Sequence, residues 1–119
     1  MDELQGWVGN LRVLEGEQLS YIETLIKRPE YHLELEHTPL SNGHVAFSLH
    51  FEVFQWSPSV YRQMKRDWDS IRPLIDAPIF AANVDEDDKW VKFITRFGFR
   101  YFKQVVGTDG SQRGLYLNL

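Results

Sequence analysis

The chain contains no cysteine and no long apolar run, and each absence excludes a class of protein. Without cysteine there is no disulfide scaffold, no thiolate zinc site and no cysteine nucleophile. No apolar stretch approaches the roughly 18 residues that a membrane span needs, and the first ten residues lack the basic and apolar regions of a signal peptide. We therefore expect a protein that is neither secreted nor embedded in a membrane.

Positive charge is also scarce, because 13 Lys and Arg stand against 17 Asp and Glu, a formal net charge of −4. Basic surface supplies most nucleic-acid affinity, so this balance does not favour a nucleic-acid partner. The 119 residues are 43% apolar and 14% aromatic, which suits one hydrophobic core and not a disordered chain. We predict a single domain over residues 1–119, with a less regular N-terminal arm over 1–14.

The first half of the chain predicts a helix followed by a β-hairpin. Apolar residues recur at helical spacing over 15–27, and Pro29 follows the end of that pattern. Residues 31–37 and 44–56 alternate apolar and polar side chains, as half-buried strands do, and an Asn-Gly pair lies between them. The alternation ends in apolar Phe54 and Trp56, which predicts that this end of the second strand is covered on both faces.

The second half predicts two helices, a buried strand and a terminal β-hairpin. Ser57 and Pro58 form an N-cap and a first helical position, and Pro73 stops the helix that they open. A helix between two strands of one sheet provides a parallel crossover, so we predict an α/β (α+β) fold with one mixed sheet covered by helices. The later elements are a strand over 78–84, a helix capped by Asp85 and ended by Gly98, and strands over 100–106 and 114–119.

This order of elements resembles the C-terminal half of the GNAT acyltransferase superfamily. Residues 90–99, WVKFITRFGF, are similar to the final helix of that superfamily, which commonly ends in Gly-Phe. The resemblance covers roughly residues 45–119 and is closest to divergent GNAT-like proteins of bacteriophages, some of them linked to head assembly or the virion interior. It implies a GNAT-like fold with a terminal β-hairpin, located in the cytoplasm of an infected bacterial cell or in the virion.

The chain departs from the catalytic members of that superfamily at their acetyl-CoA loop, whose glycines let backbone amides approach the pyrophosphate. No glycine occurs here between Gly43 and Gly98, and Pro58 removes a further amide donor. The family's Asn and general-acid Tyr positions hold Asp87 and Ile94, and isoleucine cannot donate a proton. We therefore expect no cofactor and no catalytic residue. If acetyl-CoA does bind, the residues that match the family's loop are Gln55, Trp56, Ser57, Ser59, Val60 and Tyr61.

All four histidines fall in the predicted hairpin, with glutamates interleaved. His32 is expected to face Ser48 or His50, so a His/Glu group on one sheet face is feasible. Alternation alone places these polar residues outward, however, and we expect a solvated face without a metal site. If catalysis persists, the candidate bases are Glu34, His50 and Glu52, because GNAT bases often come from the central strands.

Charged residues cluster in the two helices of the second half. Asp85, Glu86, Asp87 and Asp88 would lie beside the cofactor cleft of a GNAT-like fold, where they would repel the phosphates of CoA. Helix capping explains the same acidic run. The basic side chains of the two helices are expected to be exposed helix faces. They are Arg62, Lys65, Arg66, Lys89, Lys92 and Arg96.

These observations leave three functions open. The first is a non-catalytic GNAT-like protein that acts through protein contacts, as a homo-oligomer or with a phage structural protein. Its expected contact residues are Trp7, Trp56 and the acidic run at 85–88, because the chain has more large aromatic side chains than its core requires. The second is a divergent acetyl-CoA-dependent N-acetyltransferase. The third is a small acidic phage inhibitor that presents residues 85–88 as a phosphate mimic to a host nucleic-acid enzyme.

Overall fold

The computed structural model describes residues 20–82, 87–106 and 110–119, which form a six-stranded sheet and two helices. The strands lie in the order β1-β2-β3-β4-β6-β5, and β3 and β4 are the parallel pair. The predicted mixed sheet with a helical crossover is confirmed. The elements are β1 Tyr21–Lys27, β2 Tyr31–Pro39, β3 Val45–Val53, α1 Pro58–Ile71, β4 Ile79–Ala81, α2 Asp88–Arg96, β5 Arg100–Val106 and β6 Gln112–Asn118.

The helix predicted over 15–27 is wrong for its described part, because residues 21–27 form the edge strand β1. This strand pairs antiparallel with β2, and its register shifts at a bulge between Thr24 and Ile26. The bulge lets Leu25 and Ile26, which are consecutive, both pack against the core. Two adjacent apolar residues after Ile22 imitate helical spacing, which explains the wrong prediction. Residues 1–19 lie outside the described part of the chain, including the predicted arm and Trp7.

The helices cover one face of the sheet. Met64 and Trp68 of α1 and Ile94 of α2 pack against the odd-numbered residues of β2 and β3. The opposite face has a smaller core, built from Leu40, Ala46, Phe80, Leu115 and Leu117. The covering of both faces therefore occurs where β3 begins. The prediction that the other end is covered on both faces is wrong, since Phe54 and Trp56 are 54% and 60% exposed.

Both helices begin at side-chain caps. Ser57 caps α1, with its Oγ accepting from the Val60 amide at 3.1 Å, as predicted. The cap of α2 is Asp87, which accepts from the Trp90 amide at 2.8 Å, so the prediction of Asp85 as the cap is wrong. Neither helix has the length and apolar character that a membrane crossing requires, a finding restricted to the described ranges.

Asn118 of β6 ties the ends of the two helices together. Its Nδ2 donates to the Phe97 carbonyl at 3.0 Å, and Trp68 Nε1 donates to the same oxygen at 2.9 Å. Arg72, at the end of α1, donates from Nε to Asn118 Oδ1 at 2.6 Å. Gly98 follows α2 with φ +91°, so the predicted glycine stop is confirmed. This polar cluster fixes the helices on the sheet and thereby fixes the space between them.

Candidate functional site

The sheet opens between β3 and β4. These strands pair at two positions, Phe47 with Ile79 and Ser48 with Phe80, after which β3 continues for five residues beyond Ser48 while β4 ends at Ala81. The opening encloses about 310 Å³. Because parallel strands that separate leave their inner edges without a ladder partner, the opening exposes backbone as well as side chains. It is lined by Leu49, His50, Phe51, Val53, Ala81, Ala82, Trp90, Phe93 and Ile94.

A groove of about 790 Å³ between α1 and α2 adjoins this opening. Trp90 and Phe93 line both spaces, so the groove and the opening adjoin at these two side chains. The floor is aromatic, because the ring centroid of Trp56 lies 5.9 Å from those of both Tyr61 and Phe93. Such a floor suits the apolar and planar parts of a ligand.

Four cations surround the aromatic floor: Arg62 from α1, and Lys89, Lys92 and Arg96 from α2. All four are exposed, as predicted, and the described lining of the groove includes no carboxylate. Two other predicted basic residues of α1 point elsewhere, because Lys65 pairs with Asp69 at 2.7 Å and Arg66 donates to Gln63. The spacing of three and four residues along α2 predicts Lys89, Lys92 and Arg96 as one basic stripe. The sequence does not reveal that Arg62 of the other helix lines the same groove.

The start of α1 offers little to a phosphate through its backbone. The Val60 amide is bonded to Ser57 Oγ, the Tyr61 amide is bonded to the Ser57 carbonyl at 2.9 Å, and Pro58 has no amide hydrogen. Of the six residues that match the family's loop, the groove is lined by Trp56 and Tyr61 alone. Gln55 is exposed, and its amide donates to the Glu30 carbonyl at 3.2 Å.

The described part of the acidic run lies at the start of α2, and Ile94, which stands at the family's tyrosine position, lies in the same helix. Asp87 is engaged as the cap of α2 and Asp88 is exposed in its first turn, while Asp85 and Glu86 lie outside the described residues. Neither Asp87 nor Asp88 lines the groove. Ile94, at the family's tyrosine position, is 1% exposed and lines the opening between the strands. It closes that space with an apolar wall.

The predicted His/Glu group exists on the sheet face away from the helices. His32 lies opposite Glu52 and Glu34 lies opposite His50, so all three candidate bases share this face. The predicted partner of His32, Ser48 or His50, is wrong by a register shift of two to four residues. An even shift keeps every side chain on its face. The short loop explains the register, since the Leu40 amide bonds to the His44 carbonyl at 2.9 Å and the strands pair as far as Pro39 and Val45.

Two His/Glu pairs lie side by side on this face. His32 Nδ1 is 3.9 Å from Glu52 Oε2, and His50 Nε2 is 2.8 Å from Glu36 Oε1. Burial opposes the ionisation of Glu36, but hydrogen bonds from Ser20 and His50 outweigh it and lower the pKa of this carboxyl. His50 also lines the opening between β3 and β4, so it reaches the edge of the cleft. The third strand histidine, His37, faces the other side and pairs with Glu23 at 3.0 Å.

Comparison with known proteins identifies the fold. A structure from Bordetella pertussis described as a GnaT-family acetyltransferase superposes with a TM-score of 0.53 at 14% identity. The likeness covers 84% of this chain and 66% of that one, slightly under two thirds of its length. No protein-family model matches this chain, and no curated protein matches it in sequence. The chain therefore has a GNAT-like fold, while the resemblance to phage proteins gains no support from these comparisons.

Proposed function

We propose that this protein binds an acyl-CoA-type thioester in the groove between α1 and α2, and that the acyl group passes to an amine at the opening between β3 and β4. The observation that carries the proposal is that these two spaces adjoin, with Trp90 and Phe93 in the lining of both. A basic, aromatic groove meets, at Trp90 and Phe93, a gap in the sheet whose edge holds His50.

The donor set of the groove fits a nucleotide diphosphate in a different way from the family's loop. The capped start of α1 offers little to a phosphate, because Pro58 has no amide hydrogen and the amides of Val60 and Tyr61 are already bonded. The side chains of Arg62, Lys89, Lys92 and Arg96 supply positive charge on both walls instead. Trp56, Tyr61 and Phe93 offer ring faces to the apolar arm and the base.

When bound, the thioester supplies an activated acyl carbon: an amine nitrogen bonds to it, the carbon–sulfur bond breaks, and the sulfur takes the proton that the amine loses. The chain contributes position and enclosure to this chemistry. Ile94 and Phe93 exclude water from the helix side of the opening, and the polar face beyond His50 leaves room for an amine. Ile94 cannot supply a proton to sulfur, so we expect transfer about 100-fold or more slower than with a general acid.

Calorimetry with acetyl-CoA and with CoA tests the binding step. We expect micromolar affinity that weakens with added salt, because the contacts with the diphosphate are ionic. Arg62→Gln and Lys92→Gln should each weaken binding up to about fivefold. Arg66→Gln is the matched control, since Arg66 lies on the same helix and does not line the groove. Absence of binding at millimolar acetyl-CoA, or equal losses in Arg62→Gln and Arg66→Gln, would contradict the proposal.

A second variant tests the opening without touching the cations. Ala82 is exposed and lines the gap, so Ala82→Trp should fill it while leaving the sheet intact. We expect this variant to lose acyl transfer to an amine while the nucleotide part, measured with adenosine diphosphate, still binds. Transfer that survives Ala82→Trp would place the reaction elsewhere.

A protein-binding role is the second candidate, favoured by large apolar side chains that remain exposed. Trp56, Phe54 and Tyr101 are each more than half exposed, and Val106 is 68% exposed. Under this alternative the domain is a non-catalytic assembly component, of a phage virion or of its own oligomer. Native mass measurement of the purified chain, and a fixed copy number in purified virions, would support it. A monomer that binds acetyl-CoA would favour the first candidate.

A further inference from the structure

We propose that His32, Glu34 and Glu52, on the open face of the β2–β3 hairpin, bind a first-row divalent transition-metal ion such as Zn²⁺. This site is separate from the groove and does not depend on the acyl-CoA proposal. It also departs from the solvated, metal-free face expected from the sequence.

The hairpin register builds the cluster. His32 and Glu52 are directly opposed across the two strands, and Glu34 is two residues along β2 on the same face. Opposed positions place Cβ atoms about 5 Å apart, and diagonal neighbours remain within reach of long side chains. The three ligands are therefore carried by paired positions of a nine-residue hairpin ladder, near its open end, and the pairing holds their backbone in place.

The ligand atoms are close to the separation that an ion needs. One ligand atom from each of the three side chains lies within 4.8 Å of the other two, and His32 Nδ1 is 3.9 Å from Glu52 Oε2. Zinc bonds of about 2.0–2.2 Å in tetrahedral geometry require ligand atoms about 3.4 Å apart. The His32–Glu52 separation therefore needs to shorten by about 0.5 Å, and no separation in the group by more than about 1.4 Å. Rotamer changes of the glutamates, of which Glu52 is exposed, can supply these movements.

Packing supports the imidazole that would anchor the ion. The rings of His32 and Phe54 pack edge to face, with centroids 5.0 Å apart and ring planes at 83°. The His32 side chain is 23% exposed, so its ring is partly ordered by neighbours and still accessible. Phe54, whose exposure was unexpected, thereby gains a role beside this cluster.

The chemistry of the donors selects the class of ion. One imidazole and two carboxylates suit Zn²⁺, Co²⁺ or Mn²⁺, and the nitrogen ligand disfavours Ca²⁺ and Mg²⁺. His50 lies opposite Glu34, but its Nε2 is already bonded to Glu36 at 2.8 Å, so it is not required as a ligand. Three protein ligands leave positions for water, which is the arrangement of an open site and not of a structural zinc site.

Titration of the chelator-treated full chain with Zn²⁺ tests the site. We expect one ion per chain with micromolar affinity, a zinc-dependent rise in the melting temperature, and ligand-field absorption when Co²⁺ replaces Zn²⁺. His32→Gln and Glu52→Gln should each weaken binding at least tenfold. Glu52 is exposed, so Glu52→Gln keeps the fold and separates ligand loss from misfolding.

His37→Gln is the matched control, because His37 lies on the same strand, faces the other side of the sheet and also pairs with a glutamate. We expect its zinc affinity to be unchanged. The proposal is overturned if wild-type protein shows no saturable binding of one ion, or if Glu52→Gln binds zinc as tightly as wild type. Either outcome would assign His32 and Glu52 to a solvent-exposed ion pair.

Discussion

Arg28 donates two hydrogen bonds to the Asp67 carboxylate, from Nε to Oδ2 at 2.7 Å and from Nη2 to Oδ1 at 2.8 Å. The pair joins the turn between β1 and β2 to the middle of α1. Tyr31 also donates to Asp67, so a carboxylate that is 9% exposed has its charge and its lone pairs satisfied.

Removing the charge of Asp67 should destabilise the fold. Arg28 is 40% exposed, so we reduce the usual cost for a buried pair and expect Asp67→Asn to lower the free energy of unfolding by about 1–3 kcal/mol at neutral pH. The hydrogen bonds from Arg28 lower the pKa of Asp67, so this stabilisation is present above its unfolded value of 3.8 and disappears as the pH falls through the folded pKa. Urea unfolding at several pH values measures the effect.

Asp69→Asn is the control for that prediction. Asp69 forms an exposed i,i+4 pair with Lys65 on the same helix, which contributes about 0.3–0.5 kcal/mol. Equal losses in the two variants at neutral pH, or a loss in Asp67→Asn that does not shrink as the pH falls below 3.8, would contradict the role assigned to the Arg28 pair.

The same cluster predicts a loss of stability in alkali. Burial, and next the hydrogen bond with Asp67, raise the pKa of Tyr31 to about 12 from 10.0. Because the folded pKa is raised, the contribution of this phenol is complete below pH 10 and is lost as the pH rises towards 12. Tyr31→Phe should flatten that part of the stability curve, measured by chemical unfolding between about pH 9 and 12. Parallel curves for wild type and variant would refute the shift.

Gly98 should tolerate a side chain less well than Gly110. Both have positive φ, +91° and +84°, so alanine costs about 1–2 kcal/mol at either position. At Gly98 the new Cβ would also lie 2.9 Å from Asn118 Nδ2, which bonds to the Phe97 carbonyl, whereas nothing described lies within 4 Å at Gly110. We expect Gly98→Ala to lower the melting temperature further than Gly110→Ala. Equal shifts would show that Asn118 moves aside at little cost.

The second core predicts a contrast between two phenylalanines. Phe80 is 2% exposed between Leu115 and Leu117, so Phe80→Ala should cost about 3–5 kcal/mol. Phe54 is more than half exposed, and Phe54→Ala should cost about 0.5 kcal/mol or less. Urea denaturation of both variants gives the comparison, and a large loss in Phe54→Ala would mean that this ring is covered in solution.

The periodicity of the sequence predicts most of the fold because it reports which side chains are buried. It predicts β2, β3, α1 and the terminal hairpin, where one local pattern decides each element. It fails at β1, where the bulge after Thr24 imitates a helix, and at Phe54 and Trp56, since an apolar residue at a strand end does not reveal whether anything covers it. Pairing across strands decides both cases.

The candidate site was less predictable for the same reason. The sequence grouped His32, Glu34 and Glu52 correctly on one face, because alternation fixes the face, but it did not fix which residues are opposed. The groove depends on the distance between α1 and α2, which the contacts of Asn118 with Phe97 and Arg72 determine. The pattern of residues along one helix does not determine its distance from another helix.

The pairing of β3 with β4 at only two positions divides the sheet into two halves that share few main-chain hydrogen bonds. On one side lie β1, β2 and β3, on the other β4, β6 and β5, and few main-chain bonds cross between them. Across this seam the two halves are joined instead by the core cluster, in which Met64 and Trp68 of α1 and Ile94 of α2 pack with residues of both. A molecule that wedges into the seam therefore strains side-chain packing and leaves the hydrogen-bond ladders of both halves intact.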